Sequence, residues 1–406
     1  MLTPRQIAGI ERPATENIKR KDQRPFLNTH TAMGDFLKYT VRCSKCGHIS
    51  DDLRDFKCHL CGHPLNLQLG IDFKKTEIRK KDYSMWRYAR FFPYVKEDDK
   101  VTSGEGWTPM VKLSDDVFLK LESLNPTGSF KDRGSATLIS ALHKLIKRAK
   151  GRISEDSSGN AGASMAAYAA RAGLEAEIYV PETVSGPKFI QIQSYGARVV
   201  KVSGSRQRVA EEAQKAETKK FYVGHILHPL FRDGIRSLAY EIAEQFGWDP
   251  PGMVYLPVSA GTLILGVIRG FEHLAKSNVI KGVPKIVACQ TAQVSPLYHR
   301  LKNLPYKPPE KVTSVADALV SVNPPLLDIM VENLRRVKGD AVMVREEEIL
   351  KAWQELGKKG FYVEPSSAVA YAAYKQHVAD GEISRKEKTC IVLTGMGLKS
   401  MLKPAC

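Results

Sequence analysis

One lysine of this chain stands where carbonyl chemistry could take place. Lys131 lies in the run Asn125-Pro-Thr-Gly-Ser-Phe-Lys-Asp-Arg-Gly134, between an alternating, strand-like segment and a helical one. Because the N-terminal end of a helix is positive, a lysine in the first turn is less readily protonated. A neutral amine can form a Schiff base, so Lys131 is a candidate catalytic residue. The alternative is an ordinary solvated lysine beside Asp132.

Four cysteines form a second chemical pattern. Cys43-Ser-Lys-Cys46-Gly47 and Cys58-His-Leu-Cys61-Gly62 are matching knuckles, with eleven residues between Cys46 and Cys58. Four thiolates at this spacing suit tetrahedral zinc, and the glycine after each pair allows a tight turn. We expect a structural zinc site rather than two disulfides. The expected ligands are Cys43, Cys46, Cys58 and Cys61; His48 and His63 are weaker candidates.

Three further loops could surround a ligand near Lys131. Ser157-Ser158-Gly159-Asn160 precedes a helix of small residues, so its amides could bind a carboxylate, and Asn160 adds a side-chain donor. Ser259-Ala260-Gly261-Thr262 follows another strand, and its amides and hydroxyls could bind a phosphate. This loop is neither G-x-G-x-x-G nor a P-loop, which disfavours a dinucleotide or ATP. Thr394 places a hydroxyl at the end of a third strand.

The segments that would position these loops alternate between strand and helix patterns after residue 69. This alternation predicts βαβ units and parallel sheets covered on both faces, with ligands at the strand ends. Candidate strands begin near residues 117, 152, 176, 197, 253, 286, 341 and 390. Candidate helices are 135–150, 161–172, 234–246 and 261–275, and Thr127 or Ser129 could cap the first of them.

Composition restricts the class of protein. With 406 residues and 43% apolar content, the chain can form two compact domains and a small accessory module. It has no apolar run long enough for a membrane span and no apolar signal core at its N-terminus, so we expect a soluble, cytoplasmic protein. The net charge of +17 favours anionic partners. The basic residues are scattered, however, so nucleic acid ranks behind small anionic metabolites.

Taken together, these segments resemble the threonine-synthase branch of the fold-type II (tryptophan synthase beta-like) pyridoxal-phosphate enzymes. The resemblance spans residues 101–400, and the ordered succession of motifs is more specific than any single loop. The matching segments are Gly104-Glu-Gly-Trp-Thr-Pro-Met110, Ser129-Phe-Lys-Asp-Arg-Gly134, Ser157-Ser-Gly-Asn160, Gly360-Phe-Tyr-Val-Glu-Pro-Ser-Ser367 and Thr394-Gly-Met-Gly-Leu-Lys399. Many members also resemble this chain in having cysteine knuckles near the N-terminus.

The resemblance implies an α/β fold with two doubly wound domains, preceded by an N-terminal arm and a zinc-ribbon-like module. The expected divisions are an arm at 1–40, the module at 41–69, a large domain formed by 70–134 and 225–406, and a small domain at 135–224. The family also leads us to expect a homodimer.

The family pattern implies a role for each loop. Lys131 would hold pyridoxal 5'-phosphate as a Schiff base and then act as base and acid. Asn160 would hydrogen-bond the ring hydroxyl of the cofactor, and Thr394 would face its pyridine nitrogen. The Ser259 to Thr262 loop would bind the cofactor phosphate, and the Ser157 to Gly159 loop would bind the substrate carboxylate.

Two positions depart from the family pattern. His228 stands where asparagine is usual, close to the substrate in threonine synthases, and Ser259 stands where glycine is common. His225 and His228 could be acid–base or anion-binding groups, or could have a structural role. Lys188 matches a family lysine that could reach an anionic substrate group; the alternative is a solvated lysine at a helix start. We retain Lys188 and His228 as candidate substrate-binding residues.

The favoured function is elimination and replacement on a small anionic amino acid, most simply threonine synthase acting on O-phosphohomoserine and water. Alternatives are cysteine or cysteate synthesis from O-phosphoserine, and a serine or threonine dehydratase. A protein of another class, a zinc-ribbon nucleic-acid-binding protein on a retired enzyme fold, is disfavoured. Such a protein would have no need to keep Lys131, Asn160 and Thr394.

Overall fold

The computed structural model describes residues 38–215, 217–384 and 386–402, so most of the expected arm at 1–40 lies outside it. The strands are β1 Tyr39–Cys43, β2 Ile49–Ser50, β3 Leu65–Leu69, β4 Met110–Lys112, β5 Val117–Lys120, β6 Arg152–Glu155, β7 Ala176–Pro181, β8 Arg198–Val202, β9 Lys220–Tyr222, β10 Met253–Pro257, β11 Lys285–Thr291, β12 Asp340–Val344 and β13 Thr389–Val392. The α-helices are α1 Lys131–Arg148, α2 Asn160–Arg171, α3 Pro187–Ser194, α4 Arg206–Gln214, α5 Pro229–Gly234, α6 Ser237–Gln245, α7 Thr262–Lys276, α8 Pro296–Leu301, α9 Leu327–Arg336, α10 Glu346–Lys358 and α11 Pro365–Ala379.

The strands form three sheets. The first is antiparallel, in the order β2-β1-β3; Cys43 ends its central strand β1, and Cys46 lies in the turn that leads to β2. The second has the order β12-β11-β10-β13-β5-β4 and is parallel except for β4, while the third is fully parallel in the order β8-β7-β6-β9. The chain therefore leaves the six-stranded sheet after β5, builds the four-stranded sheet, and returns with β10. The predicted α/β fold class is confirmed, whereas the exact domain boundaries stay a prediction.

The helix that carries Lys131 differs from its prediction at the start. It begins at Lys131 rather than Ser135, and its N-cap is Phe130, which offers no side-chain hydrogen bond. The expectation that Thr127 or Ser129 caps this helix was wrong. Thr127 is engaged elsewhere, because its N–H and hydroxyl donate to the Asp132 carboxylate at 2.7 and 2.5 Å.

The helix expected from Gly234 to Phe246 is α6, which begins at Ser237, and Gly234 instead ends a separate short helix, α5. Pro229 occupies the first turn of α5, where its missing N–H costs no hydrogen bond. His228 caps this helix, with its Nδ1 accepting from the Leu230 N–H at 3.3 Å. The chain therefore turns at His228.

Close packing between helices depends on glycines without side chains. A Cβ on Gly134 of α1 would lie 2.5 Å from the Phe231 ring of α5, and one on Gly234 would lie 2.3 Å from the Arg133 carbonyl oxygen. A Cβ on Gly266 of α7 would come within 2.7 Å of Ile235. These contacts pack α5 between α1 and α7. None of the described helices combines the length and apolar character that crossing a membrane requires.

A fully buried charge cluster fixes the first turn of α1. The Arg133 guanidinium donates to the Glu122 and Glu241 carboxylates at 2.6 Å, and Lys120 Nζ donates to Glu241 at 2.9 Å. All four side chains have zero exposure to solvent. Since each charge has a partner of opposite sign, the cluster is neutral in total, and it joins β5 and α6 to the first turn of α1, where Arg133 lies two residues after Lys131.

Replacing Arg133 with methionine should destabilise the protein strongly, because Glu122 and Glu241 would then share only Lys120 as a cation. Removal of one partner from a buried ion pair costs about 3–5 kcal/mol of the free energy of unfolding. The control is Arg148→Met at the exposed end of the same helix, which should cost less than about 0.5 kcal/mol. Urea unfolding of both variants measures the difference, and equal losses would contradict a special role for the cluster.

Candidate active site

The carboxyl ends of the parallel strands surround a cleft of about 740 Å³. It is lined by the turns that follow β6, β10 and β13 and by the first residues of α1. Ten of the predicted site residues line it: Lys131, Ser157, Ser158, Gly159, Asn160, Ser259, Ala260, Gly261, Thr262 and Thr394. The structure thus brings together loops that are more than 260 residues apart along the chain.

Lys131 carries an amine of lowered basicity in this cleft. Burial lowers the pKa of Lys131 to about 8, although the nearby carboxylates of Glu155 and Glu364 favour its charged form. Its Nζ lies 4.5 Å from the centre of the Phe130 ring and makes no hydrogen bond or ion pair with the described residues. The predicted neutral amine is therefore favoured here mainly by removal from water.

Asn160 begins α2 and is held against Glu364. Its Nδ2 donates to Glu364 Oε2 at 2.8 Å, whereas its Oδ1 is buried without a hydrogen-bond partner. A side chain on Gly395 would prevent this arrangement, because its Cβ would lie 1.9 Å from Glu364 Oε2. The unsatisfied Oδ1 can accept a hydrogen bond from a ligand hydroxyl, which matches the role implied for Asn160.

Thr394 lies two residues beyond the end of β13, and its neighbours determine its position. The Thr394 Oγ1 and Ser367 Oγ atoms are 3.0 Å apart, and Ser367 Oγ also accepts from the Gly395 N–H at 2.8 Å. The Thr394 carbonyl oxygen accepts from the Phe130 N–H at 3.1 Å. The end of β13 is thereby tied to the residue that precedes Lys131.

Two helix starts offer free amides to the cleft. Gly261 precedes α7 with a left-handed φ of +100°, and a Cβ there would lie 2.6 Å from Met330 Sδ. At the start of α2, Gly162 must be a glycine because a Cβ would lie 1.9 Å from the Ser157 carbonyl oxygen. The first amides of a helix lack intrahelical acceptors and bind anions well. The two loops can therefore receive a phosphate and a carboxylate.

Asp156, Arg206 and Tyr222 line the cleft but were not among the residues predicted from the sequence, and the contact of His225 with Glu155 was not predicted either. His225 lines the cleft and is hydrogen-bonded to Glu155, while Arg206 pairs with Asp156 at 2.9 Å. Asp156 also accepts from the Tyr222 hydroxyl at 2.7 Å. Glu155 and Tyr222 end the adjacent parallel strands β6 and β9. Their position at strand ends was the available signal, but the pairing of β6 with β9 was not evident from the sequence.

Two predicted substrate-binding residues are not part of the cleft lining. The Lys188 ammonium pairs with Glu364 Oε1 at 2.7 Å and Asp317 Oδ2 at 2.8 Å, both of which belong to lining residues. Burial acts to lower the pKa of Lys188, but these two carboxylates outweigh it and raise that pKa. His228 is fully buried, and it is the N-cap residue of α5. A direct contact of either residue with substrate stays a prediction.

The four cysteines converge on one point. The Cys43 and Cys61 sulfurs are 3.4 Å apart, those of Cys46 and Cys58 are 3.6 Å apart, and all four lie within 4.8 Å of one another. Gly47 and Gly62 both have a φ of +72°, as the tight turns require. Within the described part of the chain, His48 and His63 do not join this group. Four thiolates in this arrangement fit a tetrahedral metal ion.

Comparison with known proteins defines the class. The chain belongs to the pyridoxal-phosphate dependent enzymes, whose family model matches residues 101–395. It is 31% identical to threonine synthase from Methanocaldococcus jannaschii, over 88% of this chain and 92% of that one. It is 29% identical to threonine synthase from Methanosarcina acetivorans, over 89% and 92%.

Solved structures show the same fold at lower identity. Threonine deaminase isoform 2 from Solanum lycopersicum superposes with a TM-score of 0.63 at 21% identity, covering 80% of this chain and 86% of that one. Maize serine racemase superposes with a TM-score of 0.60 at 22% identity, covering 80% and 95%. Both are fold-type II enzymes, so the expected architecture is confirmed. The unsatisfied Asn160 Oδ1, the partly buried Lys131 amine and the helix start at Thr262 fit pyridoxal phosphate.

The lowered pKa of Lys131 should control loading of the cofactor. The neutral amine is the nucleophile, so the rate at which apoprotein gains visible absorbance with pyridoxal phosphate should rise with pH and level off above about 8. An ordinary lysine, with a pKa of about 10.4, would give a rate that still rises above about pH 9. Lys131→Ala should abolish the absorbance, whereas the exposed control Lys144→Ala should not change it.

Proposed function

We propose that this enzyme is a threonine synthase, which converts O-phosphohomoserine and water to threonine and phosphate. The observation that carries the proposal is one cleft containing a partly buried Lys131, two amide-rich helix starts and a second cation, Arg206. The names of the relatives at about 30% identity support the same reaction. His228 and Ser259, which depart from the family pattern, do not remove any of these features.

When bound, pyridoxal phosphate draws electrons from the α carbon of the substrate, so that carbon-bound protons become removable. The Lys131 Nζ, released from the cofactor by the substrate, would take up and return these protons. The loop at Ser259 to Thr262 would hold the cofactor phosphate, and Asn160 and Thr394 would orient the ring. The Ser157 to Gly159 amides would bind the substrate carboxylate.

The phosphate of the substrate requires its own cation. Among the lysines and arginines of the described chain, only Lys131 and Arg206 line the cleft, and Lys131 is committed to the cofactor. One Nη atom of Arg206 forms an ion pair with Asp156. Because the Arg206 side chain is half exposed, its other N–H groups can face a ligand. Arginine binds phosphate through several N–H groups at once. We therefore assign the substrate phosphate to Arg206.

We also propose that Cys43, Cys46, Cys58 and Cys61 hold a structural zinc ion. Four sulfurs leave no open coordination position for a reactant, so the metal would stabilise the module rather than take part in the reaction. The homodimer and the cytoplasmic location expected from the sequence stay predictions.

The choice of substrate can be tested directly with the holoenzyme. Phosphate and threonine should appear in equal amounts from O-phosphohomoserine. O-phosphoserine (with and without sulfide or sulfite), serine and threonine should react far more slowly. Lys131→Ala should remove all activity. Faster turnover of O-phosphoserine with sulfide or sulfite would instead favour cysteine or cysteate synthesis, and ammonia release from serine or threonine would favour a dehydratase.

Replacing Arg206 with alanine should weaken recognition of the phosphate group. A lost hydrogen bond to a charged group is worth about 1.5–3 kcal/mol, so KM for O-phosphohomoserine should rise about 10- to 100-fold. The inhibition constant of inorganic phosphate should rise in parallel. Arg208→Ala is the matched control, since Arg208 is an exposed arginine of the same helix outside the cleft. An unchanged KM in Arg206→Ala would remove Arg206 from the phosphate site.

A further inference from the structure

A buried carboxyl–imidazole pair without an assigned role lies at the wall of the cleft, where His225 is a lining residue and Glu155 lies behind it. His225 Nδ1 is 2.6 Å from Glu155 Oε1, and the His225 N–H donates to Glu155 Oε2 at 2.9 Å. Glu155 is fully buried, and the His225 side chain is 9% exposed. Two contacts from one residue to both carboxylate oxygens hold the imidazole in a single orientation. This arrangement is more than a chance surface ion pair.

The orientation leaves the other ring nitrogen for the cleft. His225 lines the cleft, and its Nε2 has no hydrogen-bond partner in the described part of the chain. The Phe231 ring packs edge-on against the imidazole at 5.8 Å between ring centres. With Glu155 ionised, Nδ1 carries the proton and donates it to Glu155, so Nε2 presents a lone pair. An imidazole oriented by a carboxylate in this way is a common general base.

The charges around the pair favour a proton relay over a charged histidine. Burial and the nearby charge of Lys131 lower the pKa of His225 well below its ordinary value. Burial and the neighbouring Asp156 raise the pKa of Glu155 well above its ordinary value. The hydrogen bond from the His225 N–H and the charges of Arg206 and Lys131 act in the opposite direction, and they favour the ionised Glu155 from which the relay starts. If Nε2 takes up a proton while Nδ1 keeps its own, the imidazole becomes positively charged, which its surroundings disfavour. Transfer of the Nδ1 proton to Glu155 keeps the ring neutral.

We propose that His225 and Glu155 form a proton relay that activates the water molecule of the replacement step. This inference depends on the threonine synthase reaction proposed above. A water proton passes to His225 Nε2 as the Nδ1 proton passes to Glu155 Oε1, and the hydroxide oxygen forms a bond to the substrate β carbon. The electron pair of the attacked carbon–carbon double bond moves towards the α carbon. Lys131 remains the group that handles the carbon-bound protons.

The relay and Lys131 act on different protons: Lys131 moves the carbon-bound protons of the substrate, and the relay takes a proton from water. Phosphate loss depends on Lys131, because it requires removal of carbon-bound protons before the leaving group departs. Addition of water depends on His225. Without the relay, the unsaturated substrate that remains after phosphate loss would be hydrolysed to 2-oxobutyrate and ammonia instead. Atoms balance in either case, since O-phosphohomoserine plus water gives threonine plus phosphate, or 2-oxobutyrate, ammonia and phosphate.

The experiment compares holoenzyme variants by their products. His225→Asn keeps a side-chain N–H for Glu155 but cannot accept a proton, and Glu155→Gln keeps the size of the side chain. Both should release phosphate and exchange the substrate α proton with deuterated water at near wild-type rates. Threonine formation should fall about 10²- to 10⁴-fold, with 2-oxobutyrate in its place. His299→Asn, a histidine of α8 outside the cleft lining, should retain wild-type products.

Loss of phosphate release and threonine in the same proportion would overturn the relay, because it would show a structural role only. A second measurement does not depend on turnover. Nitrogen NMR of the wild-type protein labelled at histidine should show His225 neutral, with the proton on Nδ1 and none on Nε2. The signal is assigned by its absence in His225→Asn, and the reverse tautomer or a charged ring would overturn the relay. If the wild type releases no phosphate from O-phosphohomoserine, the proposed function fails, and the NMR result still decides the state of His225.

Discussion

Four buried charges below the first turn of α1 determine where the reactive lysine can lie. Arg133 is two residues after Lys131, and its guanidinium is fixed by Glu122 and Glu241 on different segments. Glu241 also accepts from the Trp107 N–H at 2.7 Å, which attaches the family-like Gly104 to Met110 loop to the same cluster. Taking these charges out of water is costly, so no member can leave alone without a large loss of stability. The geometry of Lys131 therefore depends on a neutral, closed set of ion pairs.

The sequence allowed the main parts of the site to be predicted because they depend on local signals. Strand–loop–helix boundaries at Lys131, Asn160 and Thr262 are visible as breaks between periodic patterns, and each of these loops does line the cleft. The exact start of α1 was not predictable in the same way. Its position depends on Asp132, which accepts two hydrogen bonds from Thr127 and leaves that residue unable to act as a cap.

Contacts that depend only on the topology of the sheets escaped prediction. Glu155 and His225 are 70 residues apart, and their contact requires β6 and β9 to be neighbours in the four-stranded sheet. The cysteine module shows the same effect. Its Phe56 ring packs against Tyr222 at 4.6 Å, and Lys57 Nζ donates to Gln214 Oε1 at 3.1 Å. Tyr222 and Gln214 both line the cleft, so the module supports one of its walls.

The charge pattern of the cleft explains how Lys131 can be a base at neutral pH. Among the described residues, each carboxylate that lines the cleft is paired with a cation: Glu364 and Asp317 share Lys188, and Asp156 pairs with Arg206. A free carboxylate beside Lys131 would stabilise the ammonium form and raise its pKa. With a pKa of about 8, about a tenth of Lys131 is neutral at pH 7. With an ordinary pKa of about 10.4, the neutral fraction would be about 250-fold smaller. The ion pairs of Lys188 and Arg206 thus keep the cleft carboxylates from cancelling the effect of burial on Lys131.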